Sequence, residues 1–312
     1  MGFIGTFLII LCTILWATDA VFRMPLVQAI DASTIILVEH VVCVLATFPM
    51  FYLRRAETRA LGSRGWLSLA FVGVMGSAVG TYLFTSSFRH INPSVSILLQ
   101  KIQPIFAVVA ARLFLGEQPR RGFYYWAALA LLASVMVSLP ELWSLDEVKN
   151  VFPSLRVDQS GRNQGIMMAV GAAFCWGLST VFGKWITGRV SYPVTSFLRF
   201  AFGLTGIGLL VSLAAYQSQA PLTGLLIYVH AAPETVLSLL YMALIPGVLA
   251  MYLYYAGLKR TKASVATFAE LFFPVASIAI NWTVLGQSLV AVQIIGTTLL
   301  LIAVFFINVK TK

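Results

Sequence analysis

Long apolar runs, each closed by charged or helix-breaking residues, recur along nearly the whole chain. Each is close to the roughly 20 residues with which an α-helix, rising about 1.5 Å per residue, crosses a hydrocarbon core of about 30 Å. Ten are predicted, at 3–22, 32–53, 66–87, 93–115, 121–140, 163–184, 193–216, 234–257, 263–285 and 289–308. The pattern predicts an all-α integral membrane protein. The first run lacks the basic n-region and small-residue cleavage site of a signal peptide and carries Asp19 near its end, so it is expected to be a mature span.

Composition agrees with the pattern. The 312 residues are 59% hydrophobic and 10% charged, with mean hydropathy +0.89, where soluble domains carry about 25% charged residues. The formal net charge of +10 would suggest nucleic acid in a soluble chain. Here most Lys and Arg residues, among them Arg54, Arg55, Arg59, Arg120, Arg121, Lys259, Arg260 and Lys310, fall on one side of the spans. By the positive-inside rule both termini are expected in the cytoplasm, in a plasma or inner membrane. The basic balance then reads as orientation and affinity for anionic lipid, with no nucleic-acid partner. Cys12, Cys43 and Cys175 all lie inside apolar runs, which suggests neither a disulfide framework nor a metal site.

The long polar stretch 141–162 divides the chain into 1–140 and 163–312. Within it Leu145, Val148, Phe152 and Leu155 recur at helical spacing, compatible with a short interfacial helix or a solvated connector. The flanking parts resemble each other. YLFTSSFRHINPSVSILLQKIQPIFAVVAARLFLGE (82–117) lies without gaps on YLYYAGLKRTKASVATFAELFFPVASIAINWTVLGQ (252–287), matching Tyr82 with Tyr252, Pro104 with Pro274 and Gly116 with Gly286. ILWATDAVF (14–22) likewise lies on FCWGLSTVF (174–182), matching Trp16 with Trp176. Five spans per copy is an odd number, so the copies enter the bilayer in opposite senses. Two inverted five-helix repeats meeting near the midplane are a physical basis for alternating access.

Ten spans in a five-plus-five duplication, a Trp in the first span of each half, a Pro in the fourth and the LFLGEQP ending (113–119) together resemble the drug/metabolite transporter superfamily, and more narrowly its EamA type. One departure is Gln287, where such proteins often have a second Glu, so any role of that carboxylate carries over to Glu117 alone. The resemblance implies secondary transport of small organic solutes, often export, through a central cavity lined by both halves.

Ionisable residues inside the membrane are the candidates for function, since each costs about 2.5–3.5 kcal/mol at a helix centre unless it finds a partner or water. Lys101 and Glu270 lie at similar estimated depths in spans four and nine, and either pair or face each other across a solute. In span nine Thr267, Glu270, Pro274, Ser277 and Asn281 share one helical face and are expected to line a cavity, with Gln100 and Lys101 opposite. Pro104 and Pro274 free carbonyls at Gln100 and Glu270, and are the candidate hinges. Arg199 is a candidate for a solute carboxylate, while Glu39, His40 and Glu270 are candidate proton carriers. Glu39 and Arg199 occupy equivalent positions of the repeat, yet their estimated depths differ by about 10 Å. Asp19 and Arg23, one turn apart, read as a local ion pair. Trp16, Trp176, Tyr82 and Tyr252 are candidate aromatic walls. Gly73, Gly76 and Gly80 read as close helix packing.

No phosphate-binding loop, HExxH or CxxC occurs, which disfavours ATP-driven transport and a metalloenzyme; no catalytic residue, metal or cofactor is expected. The expectation is a monomeric secondary transporter, an exporter, of a small polar or zwitterionic metabolite such as an amino acid, with protons as a candidate coupling ion. The alternatives are a carrier of cationic or quaternary-amine solutes and, from another class, a non-transporting scaffold or enzyme.

Overall fold

The computed structural model describes residues 2–91, 93–143, 160–218, 233–285 and 290–310. Leu145, Val148, Phe152 and Leu155 of the connector, and Gln287, lie outside them. Among the described residues ten helical spans are long and apolar enough to cross a membrane, and no strand occurs.

Span one is α1 (Gly2–Ala29) and span two α2 (Ala32–Arg54). The sequence pattern ends span one at Phe22, because Arg23 follows; the helix continues because Arg23 is neutralised inside the protein by Asp19 and Glu39. Span three joins α3 (Ser63–Phe71) to α4 (Gly80–Ser87) through a π-helical stretch, Val72–Val79. Span four is α5 (Pro93–Gln100) and α6 (Gln103–Leu115), and span five is α7 (Arg121–Trp143). The second half repeats the scheme. Spans six and seven are α8 (Ser160–Thr187) and α9 (Tyr192–Ser218). Span eight joins α10 (Pro233–Met242) to α11 (Ala250–Arg260) through a second π-helical stretch, Ala243–Leu249. Span nine is α12 (Ala263–Ala269) and α13 (Phe273–Leu285), and span ten α14 (Ala291–Lys310).

The irregularities have sequence causes. Pro246 sits inside the second π stretch and Gly76 at the equivalent place in the first, and both residue types loosen the helical ladder. Spans four and nine break outright. In span four the amides of Lys101 and Ile102 turn to the carbonyls of Leu98 and Leu99, three residues back, at 3.0 and 3.2 Å. In span nine a 3-10 turn, Glu270–Phe272, separates the two helices. Each outgoing helix carries its proline, Pro104 or Pro274, as second residue, where the missing N–H removes no bond that a helix start would make.

The helices pack across the halves. α1 lies on α11 and α8 on the stretch from the first π turn through α4, a pair of contacts that exchanging the halves interconverts; α2 lies on α9 and α7 on α14, each contact mapping onto itself. Close approach replaces hydrophobic expulsion as the source of association inside lipid. A Cβ added to Gly5 of α1 would stand 2.7 Å from the Gly257 carbonyl oxygen, and one added to Gly257 would stand 2.6 Å from that of Gly5. Trp126 of α7 stacks on Phe306 of α14, centroids 4.3 Å apart.

Gly116 closes α6 in the left-handed region, φ 66°, its N–H reaching the Ala111 carbonyl. Glycine takes that conformation without steric cost. The turn sends Glu117 across to the second half, where its carboxylate accepts from the Ala263 and Ser264 amides at 2.8 and 3.0 Å and from the Ser264 hydroxyl at 2.5 Å. The LFLGE ending of span four therefore caps the first helix of span nine.

Candidate functional site

The two helix breaks open on one another at the centre of the molecule. Around them lies a cavity of about 250 Å³ lined by residues of spans one to four and six to nine, with spans five and ten outside the lining. Lys101, at the turn of span four, is buried and lines it, as do Gln100, Gln103 and Pro104. Glu270, at the turn of span nine, lines it with Thr267, Leu271, Phe273 and Pro274. A proline one turn beyond each of these residues thus puts a charged side chain at a place where the helix no longer occupies its own backbone.

Glu270 is held by groups other than Lys101. Gln103 Nε2 donates to its Oε2 at 2.6 Å, and the Tyr254 hydroxyl donates to Oε1 at 2.9 Å. Tyr254 spends its only proton there, so Thr180 is the donor in the 2.8 Å contact between Thr180 Oγ1 and the Tyr254 oxygen. The Gln103 bond joins the break of the first half to the break of the second. Among the described residues no ion pair links Lys101 to Glu270; of the two arrangements the sequence left open, direct pairing is not the one seen, because Gln103, two residues along the turn, reaches the carboxylate instead.

The second charged set divides between two groups of partners. Arg23 donates to Asp19 through Nε at 2.5 Å and Nη2 at 2.9 Å, and through Nη2 to Glu39 Oε1 at 2.6 Å. The local pair expected within span one is there, and Glu39 joins it rather than Arg199. Arg199 is buried in the other half of the lining, donating to the Tyr255 hydroxyl at 3.0 Å, to Ser77 Oγ at 3.3 Å and to the Gly76 carbonyl at 3.4 Å. Helix phase decides this: Glu39 and Arg199 are equivalent by the repeat, but each is nearest to a different neighbour.

His40 is built into the same network. Its Nδ1 lies 2.8 Å from the Ile36 carbonyl, which can only accept, so Nδ1 carries the proton. Nε2 is then the acceptor, 3.0 Å from Ser77 Oγ. With Arg199 donating to Ser77 and Ser77 to His40, every proton in the chain is assigned.

Trp16 and Trp176, equivalent in the repeat, both line the cavity. Trp16 packs on Tyr254 with centroids 5.5 Å apart, and Trp176 on Phe84 at 5.2 Å. Trp176 is oriented by its indole N–H, which donates to the Gly76 carbonyl at 2.9 Å. Two expected wall residues are corrected. Tyr82 packs with Leu37 and Leu204 around the buried Ile36, Ala78 and Ile207, and Tyr252 stands edge-on to Tyr192 at 5.5 Å, so neither lines the cavity. The side chain of Asn281 lies outside the described ones. Ser277 returns its hydroxyl to the Phe273 carbonyl and is absent from the lining.

Gln103, Tyr254, Thr180, Ser77 and Tyr255 are the functional candidates that the pattern reading missed. Gln103 was visible beside Lys101. Tyr254 and Tyr255 sit in a run, YLYY, where every helical face is aromatic or apolar and phase alone separates the two that point inward from Tyr252.

Contacts between the halves gather on the face that carries Gly2 and Lys310, here the terminal face. There Glu117 caps α12, the Ser191 N–H donates to Glu57 at 2.6 Å and Thr6 donates to Asn308 at 2.7 Å, each contact joining the two halves. Lys184 donates to the Leu258 and Lys259 carbonyls at 2.9 and 3.1 Å, a cation at the C-terminal end of α11. In the opposite direction the lining continues to Met24, Thr85 and Phe88 near the far ends of α1 and α4. Among the described residues no His, Cys, Asp and Glu cluster could hold a metal ion. The arrangement is a polar and aromatic chamber between two pseudo-symmetric halves.

Comparison with known proteins gives the same picture. The model of the EamA-like transporter family matches residues 3–139 and again 163–309. The chain belongs to the EamA-like transporter family. It is 29% identical over 314 residues, 97% of each chain, to the riboflavin transporter ImpX of Fusobacterium nucleatum. It is also 21% identical over 222 residues, 69% of this chain and 66% of the other, to the uncharacterized inner membrane transporter YhbE of Escherichia coli. A solved crystal structure shares the fold with a TM-score of 0.70 at 15% identity, over 96% of this chain and 94% of that one. As an EamA-like member of the drug/metabolite transporter superfamily, the protein is a membrane transporter.

Proposed function

We propose that this EamA-like protein carries a neutral, flat heteroaromatic metabolite bearing hydroxyl groups, with riboflavin as the reference solute, across the inner membrane by alternating access, both termini lying in the cytoplasm. The observation that carries the reading is the internal balance of the cavity. Its described lining holds Asp19, Glu39 and Glu270 against Arg23, Lys101 and Arg199. Both Glu residues and Arg199 are engaged with protein groups. Such a chamber offers aromatic faces at Trp16 and Trp176 and hydrogen bonds from engaged polar groups. Extensive similarity to a protein named a riboflavin transporter supports the same solute class. Gln100 and Lys101 are assigned to solute binding together with Glu270, whose proton exchange would require the Tyr254 hydroxyl to turn and is the proposed route to coupling. Pro104 and Pro274 are assigned as hinges.

Purified protein in liposomes, given a panel of labelled riboflavin, amino acids, quaternary amines and nucleosides, tests the reading. Uptake of riboflavin that unlabelled riboflavin competes away is expected. Transport of an amino acid with no response to riboflavin overturns it in favour of the second reading, amino-acid export, which rests on Lys101 and Glu270 lining one chamber and receiving a carboxylate and an ammonium.

A further inference from the structure

Threonine and serine hydroxyls in these helices mostly return to a carbonyl one turn back. Thr13 donates to Ile10, Thr18 to Leu15, Thr47 to Cys43 and Ser179 to Cys175, each at 2.7 Å. Inside a membrane protein that local bond is the cheapest way to satisfy a hydroxyl. Thr85 departs from the habit. Its side chain is fully buried, it lines the cavity, and its Oγ1 has no hydrogen-bond partner. Arg23, 8% exposed and in the same lining, is in a similar state: Nε and Nη2 are taken by Asp19 and Glu39, while Nη1 has no partner. Among the described residues, the hydroxyls of Ser134, Ser191 and Ser196 are also unpartnered away from the cavity, and that of Thr267, beside Glu270, is unpartnered in its lining.

Arg23 and Thr85 both lie towards the far face, α1 having run from the terminal face to residue 23 and α4 ending at Ser87. One offers an N–H donor and the other a hydroxyl that both donates and accepts. The guanidinium charge is already matched by two carboxylates, so the free N–H suits an uncharged oxygen, and a phosphate or carboxylate there would meet Asp19 and Glu39. We infer that Arg23 Nη1 and Thr85 Oγ1 form a subsite for the uncharged hydroxyl oxygens of the solute, at the end of the cavity away from Glu270. The inference rests on the proposed solute class and adds the part of the solute that is read and the residues that read it.

The test is the quenching of flavin fluorescence on titration into purified full-length protein, comparing riboflavin with lumiflavin, the same ring system with a methyl group in place of the hydroxylated chain. Wild type is expected to bind riboflavin about tenfold tighter than lumiflavin, since a site built for hydroxyls discriminates against an analogue lacking them. Thr85→Val is expected to weaken riboflavin roughly three- to tenfold and lumiflavin less than about twofold, because one solute bond is lost. Its Tm should hold or rise, as the substitution removes a buried hydroxyl that had no bond to lose. Arg23→Lys keeps the charge that Asp19 and Glu39 require and should narrow the same preference. Equal binding of the two flavins by wild type, or equal weakening of both by Thr85→Val, overturns the subsite and leaves riboflavin transport standing. If neither flavin binds, the proposed function falls and the subsite with it.

Discussion

The break in span four and the break in span nine use one backbone device, a proline as second residue of the outgoing helix, but hold opposite charges in different company. At the second break the Glu270 carboxylate collects Gln103 and Tyr254, one from each half. At the first, the two-residue turn presents Lys101 into the lining and Gln103 across to Glu270. The entrances differ too. The short helix that leads to Glu270 is capped from the other half by Glu117, whereas the repeat-equivalent of Glu117 is Gln287. Duplication supplied a symmetric pair of bends, and divergence of side chains made one of them the point where the halves are tied together.

If that asymmetry governs function, damage at the second break should exceed damage at the first. Glu270→Ala is expected to lower riboflavin transport in liposomes by about a hundredfold. It leaves the Gln103 and Tyr254 donors unmet, at about 1–3 kcal/mol for each buried group. Lys101→Ala, by comparison, should cost about tenfold, near 1.4 kcal/mol. A larger loss from Lys101→Ala than from Glu270→Ala would refute the ranking.

Next in size are the bends themselves. Pro274→Ala and Pro104→Ala restore a helical N–H and favour a straighter span, so each should slow solute exchange roughly five- to tenfold while solute affinity, read by flavin quenching, stays within about twofold. A loss of affinity with exchange intact would assign the prolines to cavity shape instead of hinge motion.

Glu117→Gln removes a charge-assisted cap and should lower stability by about 1 kcal/mol. Because that cap joins the halves on the terminal face, the variant should also open this seam more often. A cysteine introduced at the buried Ala110, with Cys12, Cys43 and Cys175 replaced, reports it through faster labelling by an impermeant maleimide supplied from the terminal face. Unchanged labelling would make Glu117 a stabilising cap with no part in access. The smallest effects belong to Tyr82→Phe and Tyr252→Phe, which change a hydroxyl outside the cavity and should leave transport within about twofold. A loss at either that rivals Lys101→Ala would restore it to the solute path.

Much of the fold could be read from the chain, because a bilayer demands long apolar helices and a duplication leaves matched residues such as Trp16 with Trp176 and Pro104 with Pro274. The positions that line the cavity were legible where a charge had no reason to be in lipid, as at Glu39, Lys101, Arg199 and Glu270. Their partners were not. Depth estimates set Lys101 level with Glu270 and Glu39 apart from Arg199, but they named neither Gln103 nor Arg23 as the groups that hold those carboxylates. Aromatic residues misled in the same way: Tyr252 and Tyr254 differ by about 200° of helical phase, and in an all-apolar run nothing marks which one faces inward.

The sequence by itself determined that the chain is a ten-span membrane protein in two inverted copies, with bends and charges near the middle. These properties depend on local composition, on period and on repeat, which do not require knowing which helix touches which. Only the tertiary structure decided that Glu270 is held by Gln103 and Tyr254, that Arg23 serves two carboxylates, that Glu117 caps α12 from the other half and that Thr85 is left with an unspent hydroxyl. A hydrogen bond is set within a few tenths of an ångström and a few tens of degrees, and helix rotation and crossing, fixed by contacts such as that of Gly5 with Gly257, are what bring two side chains inside that range.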